Sequence, residues 1–257
     1  MLELIPRYCI LCDDKPEGAT YINTDDVEFV RCPNCSLIWR LRPEIDFEAY
    51  DDPDYHTGCY DKRRLHRIKK GRRQLALIDK YRPTAEKGLL LEVGCSMGYF
   101  LEAAVNDGWR AIGIEVSSHA VKQCRDSGLE AYQSDAAGIK ELGLLFDVVV
   151  MKHVLEHFPD PVDCLQQYYS LLKPGGLLFI EIPNAGYYKG CLFKEKYKFY
   201  RVENAAAQHF YYFTPKNLRR LLERSGFNVL LPCDRLNSVL DFFGLSKQFI
   251  CLAQKPA

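Results

Sequence analysis

The chain has 257 residues, 47% of them hydrophobic, with 34 Lys+Arg balanced by 34 Asp+Glu. That apolar content excludes wholesale disorder, the length suits one α/β domain plus a small appendage, and zero net charge argues against a non-specific grip on long nucleic acid, which needs excess positive charge. Eleven cysteines, an odd number, with no apolar leader at Met1–Arg7 and no apolar window of membrane-spanning length, predict a cytoplasmic protein with reduced thiols.

The first 45 residues carry two Cys-x-x-Cys pairs, Cys9/Cys12 and Cys32/Cys35. Each spacing lets two sulfurs turn toward one tetrahedral ion, and four thiolates leave no open position. Pro33 and Asn34 suit the tight turn inside the second knuckle. Short β-like runs at Thr20–Asn23 and Val27–Val30 separate the pairs. The pattern predicts a zinc-ribbon-like module at 1–45 holding a structural Zn2+ on Cys9, Cys12, Cys32 and Cys35. The module either staples the N-terminus alone or also shapes a neighbouring site. A segment this small needs its metal to fold.

Residues 46–87 read as a linking segment. Asp46–Tyr60 is acidic and aromatic. Lys62–Arg82 then holds ten Lys/Arg against one acid, Asp79, interrupted by Leu65, Ile68, Leu75, Leu77 and Ile78 in a partly amphipathic helical pattern. Such a helix either contacts phosphates or presents a solvated basic face.

From residue 88 to 257, apolar runs alternate with helical patterns. Strands are predicted at Leu89–Val93, Arg110–Glu115, Glu130–Gln133, Phe146–Met151 and Leu177–Ile182. Helices are predicted at Tyr99–Asn106, His119–Arg125, Val162–Leu172 and Thr214–Ser225. Strands near Phe227–Leu231 and Gln248–Ala253 could close the sheet as an antiparallel pair. This alternation predicts an α/β fold with a Rossmann-like sheet covered on both faces. The loop Glu92-Val-Gly94-Cys95-Ser-Met-Gly98 joins a strand to a helix, where glycines let the backbone approach a bound group closely. Its spacing is not G-x-G-x-x-G, so a dinucleotide pyrophosphate fits poorly. Glu115 ends the second strand, placed to accept hydrogen bonds from ribose hydroxyls, and Asp135 ends the third.

These segments, with Gly113-Ile-Glu-Val116, Ser134-Asp-Ala136, Phe146–His157 and Leu172-Lys-Pro-Gly-Gly-Leu177, resemble the class I S-adenosylmethionine-dependent methyltransferases in order and spacing. The resemblance implies a seven-stranded sheet with its last strand antiparallel, and S-adenosyl-L-methionine as cofactor. It implies that Glu92, Gly94, Cys95 and Gly98 border the methionine part, that Glu115 and Val116 meet the ribose and its surroundings, and that Asp135 and Ala136 flank adenine. Lys152 and His153 would sit beside the sulfonium.

A four-cysteine module ahead of this domain resembles the sugar C-methyltransferases acting on nucleotide-linked keto-deoxysugars, although this chain is shorter. Ala207-Gln-His209-Phe-Tyr-Tyr-Phe-Thr214 matches a run in which that family's His is a general base after a Glu; here Gln208 replaces the acid. The resemblance implies His209 as base, with His153 or His157 orienting the acceptor. His153-x-x-Glu156-His157 also resembles, imperfectly, the Glu-x-x-Glu-His metal triad of some small-RNA-end O-methyltransferases, with His153 departing from the pattern; a later His completes that family's site, which implies His209 here, and three nitrogens with one carboxylate would suit zinc, iron or manganese better than magnesium. The competing reading is that Glu156-His157 packs a loop. Lys189–Arg201, basic and aromatic, reads as a lid for an anionic partner or as a surface loop.

The expected activity is therefore methyl transfer to a small anionic metabolite, a sugar nucleotide or glycan precursor. The alternatives are an RNA methyltransferase using the module and the basic helix, and a non-catalytic cofactor-binding protein. The sequence leaves the oligomeric state open.

Overall fold

The computed structural model describes residues 8–12, 20–24, 27–40, 64–82, 84–185, 209–231 and 248–257. The acidic aromatic stretch at 46–60, the basic aromatic run at 189–201, Gln208, Cys59, Cys191 and Cys233 lie outside the described residues. Strands β1 (Thr20–Thr24), β2 (Val27–Arg31) and β3 (Ile38–Arg40) come first, then helix α1 (Arg64–Asp79). Next in the chain are β4 (Leu89–Val93), α2 (Tyr99–Asn106), β5 (Arg110–Glu115), α3 (Ser118–Asp126), β6 (Glu130–Gln133) and α4 (Ala136–Lys140). They are followed by β7 (Phe146–Lys152), a 3-10 turn at Leu155–His157, α5 (Pro161–Leu171) and β8 (Leu172–Pro183). The last described elements are β9 (Tyr211–Tyr212), α6 (Pro215–Arg224), β10 (Asn228–Leu231) and β11 (Gln248–Gln254).

Seven strands form the main sheet in the order β10-β11-β8-β7-β4-β5-β6. The strands read from the sequence are all present. β8 begins five residues earlier than the apolar run at Leu177 suggests, because Gly175 and Gly176 exchange backbone hydrogen bonds with Lys255. The chain groups into two compact units, one drawn from 1–45, 153–166 and 180–253, the other from 46–152, 167–179 and 254–257.

The second unit is built on parallel pairs: β4 with β5, β4 with β7, and β5 with β6. Central parallel strands are buried on both faces and read as unbroken apolar runs. Leu90, Leu91, Val93 and Val148–Met151 are all buried accordingly. Gly71 lets α1 press on α2: a β-carbon there would lie 3.0 Å from the Ala103 β-carbon. Ile68, Gln74, Leu75 and Ile78 form the buried stripe of α1, while Arg64, Lys69, Arg72 and Arg73 face solvent. The lone acid of this stretch, Asp79, pairs with Lys87 at 2.6 Å, and Arg82 stacks 4.3 Å from the Trp109 ring centre.

In the first unit, β1, β2 and β3 form an antiparallel meander, extended by β9 through Ile38 opposite Tyr212 and Trp39 opposite Tyr211. The aromatic run at 210–213 thus supplies a strand and buried packing; Phe29, Ile38, Ala185 and Tyr212 cluster there. Helix α6 starts as its residues predict. Thr214 and Asn217 close a reciprocal capping box, with Pro215 at the first turn.

Candidate functional site

The loop after β4 is shaped by three left-handed residues, Gly94 (φ 65), Ser96 (φ 48) and Gly98 (φ 74). A β-carbon at Gly98 would lie 2.7 Å from Leu129 Cδ1 and 2.8 Å from Cys124 Sγ. Glycine therefore serves both the turn and the close packing. Cys95 N–H donates to the Ile114 carbonyl at 3.0 Å, and Gly98 N–H to the Cys95 carbonyl at 2.9 Å. Glu115 ties this loop to the end of β5. Its Oε2 accepts the Ser96 N–H at 2.9 Å, and its Oε1 accepts those of Val116 at 2.7 Å and Ser117 at 3.2 Å. Val116 stands 48% exposed beside it, an open apolar surface suited to a flat ring.

Glu92 is 3% exposed, and its Oε2 has no hydrogen-bond partner. Burial pushes its carboxyl up to about 7, against the pull of Lys152. Lys152 Nζ lies 3.8 Å from Glu92 Oε1 and 4.4 Å from the Phe100 ring centre. A buried acid with one oxygen unmatched is completed by a cation or donor from a ligand. The α-ammonium of a methionine moiety is such a group, so the residues present fit the expected cofactor. Asp135 is an exposed N-cap of α4, its Oδ1 accepting the Gly138 N–H at 3.0 Å, with Ala136 buried behind it. The short helix α4 that it caps went unnoticed in the sequence. The expected cofactor residues therefore fall at the ends of four successive strands, β4 to β7, of one compact unit.

The histidines belong to the other unit. Glu156, in the 3-10 turn, is 1% exposed. The Phe210 N–H donates to the Glu156 carbonyl at 2.8 Å, and the Tyr211 hydroxyl to the Pro159 carbonyl at 3.2 Å. These bonds bring His209 to Glu156. His209 Nε2 lies 3.9 Å from Glu156 Oε1, and its ring meets that of His157 edge-on at 4.6 Å. Burial drives the His209 imidazole down to about 3, so near neutral pH the ring is uncharged, with one ring nitrogen able to accept. His153 is more exposed, left-handed at φ 57, with Nδ1 3.5 Å from Glu156 Oε1. Two further residues reach His153 that the sequence reading did not single out, Gln248 and Glu181. Glu181 was detectable as a charge inside the apolar run of β8; Gln248 left no signal.

Cys9, Cys12, Cys32 and Cys35 converge as the spacing predicts. The Cys9 and Cys35 sulfurs lie 3.4 Å apart, and those of Cys12 and Cys32 3.9 Å. A tetrahedral ion bonded at about 2.3 Å to each sulfur would need about 3.8 Å between them. Without a cation the thiols compete for one charge: the hydrogen bond from Cys9 lowers Cys35 to about 5, while burial pushes Cys12 up to about 11. This donor set fits zinc. The module is pinned to α6 by Asn217 Nδ2 donating to the Cys35 carbonyl at 2.9 Å and by Arg224 donating to the Leu11 carbonyl at 2.7 Å. Among the described residues, no helix is long and apolar enough to cross a membrane.

The family model described as a methyltransferase domain matches residues 60–231. The chain belongs to that family. A ubiquinone biosynthesis O-methyltransferase of Methylococcus capsulatus is 37% identical to this methyltransferase over 102 residues, covering 37% of this chain and 43% of that one. One of the same name from Nitrosospira multiformis is 28% identical over 174 residues, covering 64% of this chain and 72% of that one. The chain spans about half the length of the curated relatives it matches first. Among solved structures, a SAM-dependent methyltransferase from Archaeoglobus fulgidus aligns with TM-score 0.53 and 22% identity, over 74% of this chain and 94% of that one. The plantazolicin methyltransferase BpumL in complex with SAH aligns with TM-score 0.58 and 15% identity, over 81% and 93%. The seven-stranded fold is thus that of SAM-dependent methyltransferases, as the sequence motifs led us to expect.

Proposed function

We propose that this methyltransferase moves a methyl group from S-adenosyl-L-methionine to a small anionic acceptor in the cytoplasm. The observation that carries the cofactor is the buried, half-matched carboxylate of Glu92 beside the Glu115-tied loop. Glu92, Gly94, Cys95 and Gly98 would border the methionine part, Glu115 and Val116 the ribose side, Asp135 and Ala136 the adenine, with Lys152 near the sulfonium. Methyl transfer is an in-line displacement, so the protein must align the acceptor and dispose of its proton. We assign the acceptor side to His209, His153 and His157. His209 is the candidate base, and the other two orient the acceptor. A ring as weakly basic as buried His209 depends on the negative charge of Glu156 beside it to hold the proton it takes.

For the acceptor, our reading is a sugar nucleotide or glycan precursor. The names of the curated relatives favour transfer to oxygen. We assign residues 1–45 to a structural zinc module, 46–87 to a link and 88–257 to the methyltransferase domain. Chelation should remove the zinc held by the four thiolates and destabilise the protein, while Cys32→Ser should do so without chelator. Metal analysis with a melting curve checks this, and unchanged melting after complete zinc removal would reject a structural role.

The deciding experiment offers the protein labelled S-adenosylmethionine and fractionated cell extract. Label in small molecules or glycans supports the proposal and supplies the product for identification. Label in RNA would overturn it in favour of RNA binding by the exposed basic face of α1. No label in any pool, despite tight cofactor binding, would favour a non-catalytic role.

A further inference from the structure

Four side chains of one compact unit bring hydrogen-bond acceptors together around a buried carboxylate. Neither oxygen of Glu156 has a hydrogen-bond partner, and neither does Nδ1 of His209, although both residues are buried. The ligating atoms of Glu156, His157 and His209 lie within 4.8 Å of one another. His153 Nδ1 adds a fourth, 3.5 Å from Glu156 Oε1.

The tautomer of His153 follows from its neighbours. Gln248 Nε2 donates to Glu181 Oε1 at 2.6 Å. The same amide therefore turns its oxygen to His153 Nε2, at 3.2 Å. Nε2 must carry the hydrogen, so in its neutral form the ring has its lone pair on Nδ1, toward Glu156. An outer nitrogen that donates to an oxygen and an inner nitrogen left as acceptor is the arrangement of a metal-bound histidine. The backbone of His153 is also held left-handed, a strained conformation for a non-glycine residue. Its amide donates to the carbonyl of the same Glu181 at 2.8 Å.

We propose that Glu156, His153, His157 and His209 bind one divalent transition-metal ion, with Gln248 and Glu181 as positioning residues that fix the His153 ring. Nitrogen donors with one carboxylate suit zinc, manganese or iron(II), whereas magnesium and calcium prefer oxygen. Bonds of about 2.1 Å in a tetrahedral arrangement separate ligand atoms by about 3.4 Å. The observed 3.5 Å and 3.9 Å from Glu156 to His153 and His209 are close to that. The ion also offsets the cost of an unmatched buried carboxylate. With the ion bound, His209 would serve as a ligand in place of the free base, and the ion would ease loss of the acceptor's proton by polarising the acceptor oxygen; only that use rests on the methyl-transfer reading.

Cobalt(II) tests it, because thiolate-bound cobalt shows sulfur-to-metal charge transfer and nitrogen- or oxygen-bound cobalt does not. The metal-free full chain should take up one thiolate-bound and one non-thiolate equivalent. Glu156→Gln and His209→Ala should lose the non-thiolate equivalent alone, with cofactor affinity retained as the control for folding. Because Glu156→Gln conserves shape, it decides the matter should His209→Ala misfold. Glu181→Gln should weaken the non-thiolate cobalt about 10- to 100-fold, the usual effect of losing an outer partner. Absence of the non-thiolate equivalent in the native chain, or its persistence in Glu156→Gln, would overturn the site. Absence of methyl transfer with both sites loaded would instead count against the enzymatic reading and leave the metal site standing.

Discussion

Replacing Glu115 with alanine raises the dissociation constant for S-adenosylmethionine about 100-fold or more. The carboxylate accepts three backbone N–H groups, from Ser96, Val116 and Ser117. Hydrogen bonds to a charged acceptor contribute about 1.5–3 kcal/mol each, and orphaned buried donors carry their own penalty. A 100-fold change needs only about 2.7 kcal/mol. The Ser96 contact bears most directly on the cofactor, because it holds the loop in its left-handed turn. Glu115→Gln should fall between, since its amide keeps one acceptor but turns a donor toward backbone N–H groups. Titration calorimetry measures both variants, with thermal unfolding separating a loosened loop from a lost fold. Native affinity in Glu115→Ala would remove this residue from the cofactor site.

Replacing His209 with alanine should lower kcat by about 100-fold or more, the usual scale for losing a positioned proton-transfer group, and leave cofactor affinity within about twofold. The candidate cofactor residues lie between Glu92 and Lys152, in the other compact unit. His209 is buried against His157 and Tyr212 and faces Glu156. Its loss strips the carboxylate of a neighbour as well as opening a cavity, so stability should also fall. Single-turnover transfer at saturating cofactor, set beside binding, distinguishes the two effects. Undiminished turnover would take His209 out of the mechanism, whether as base or as ligand.

Much of this protein is legible in the order of its residues. Parallel strands at Leu89–Val93 and Phe146–Lys152 announce themselves as apolar runs because a strand buried on both faces has no polar side. The knuckles at Cys9/Cys12 and Cys32/Cys35 are local turns whose spacing alone brings two sulfurs together. The start of α6 reads directly from Thr214-Pro215, an N-cap and a first-turn proline, whereas the reciprocal bond from Asn217 does not. The early start of β8 is not legible, because Lys173-Pro-Gly-Gly looks like a turn until Lys255 pairs with it. The Glu115 contact to Ser96 is not legible either. The sequence suggests a ribose ligand, and the structure adds a strut for the loop.

The sequence by itself determined the strand–helix alternation, the glycine loop, the four-thiol module and the family, all of which depend on residues near one another along the chain. Only the tertiary structure decided which polar groups meet. Glu181 reaches Gln248 across 67 positions, and Gln248 reaches His153 across 95. Periodicity and propensity act over a few residues, whereas the partner of a buried carboxylate or imidazole is whatever distant group the packing delivers. The neutral His209, the half-matched Glu92 and the unpartnered carboxylate oxygens of Glu156 are consequences of burial, and burial belongs to the fold as a whole.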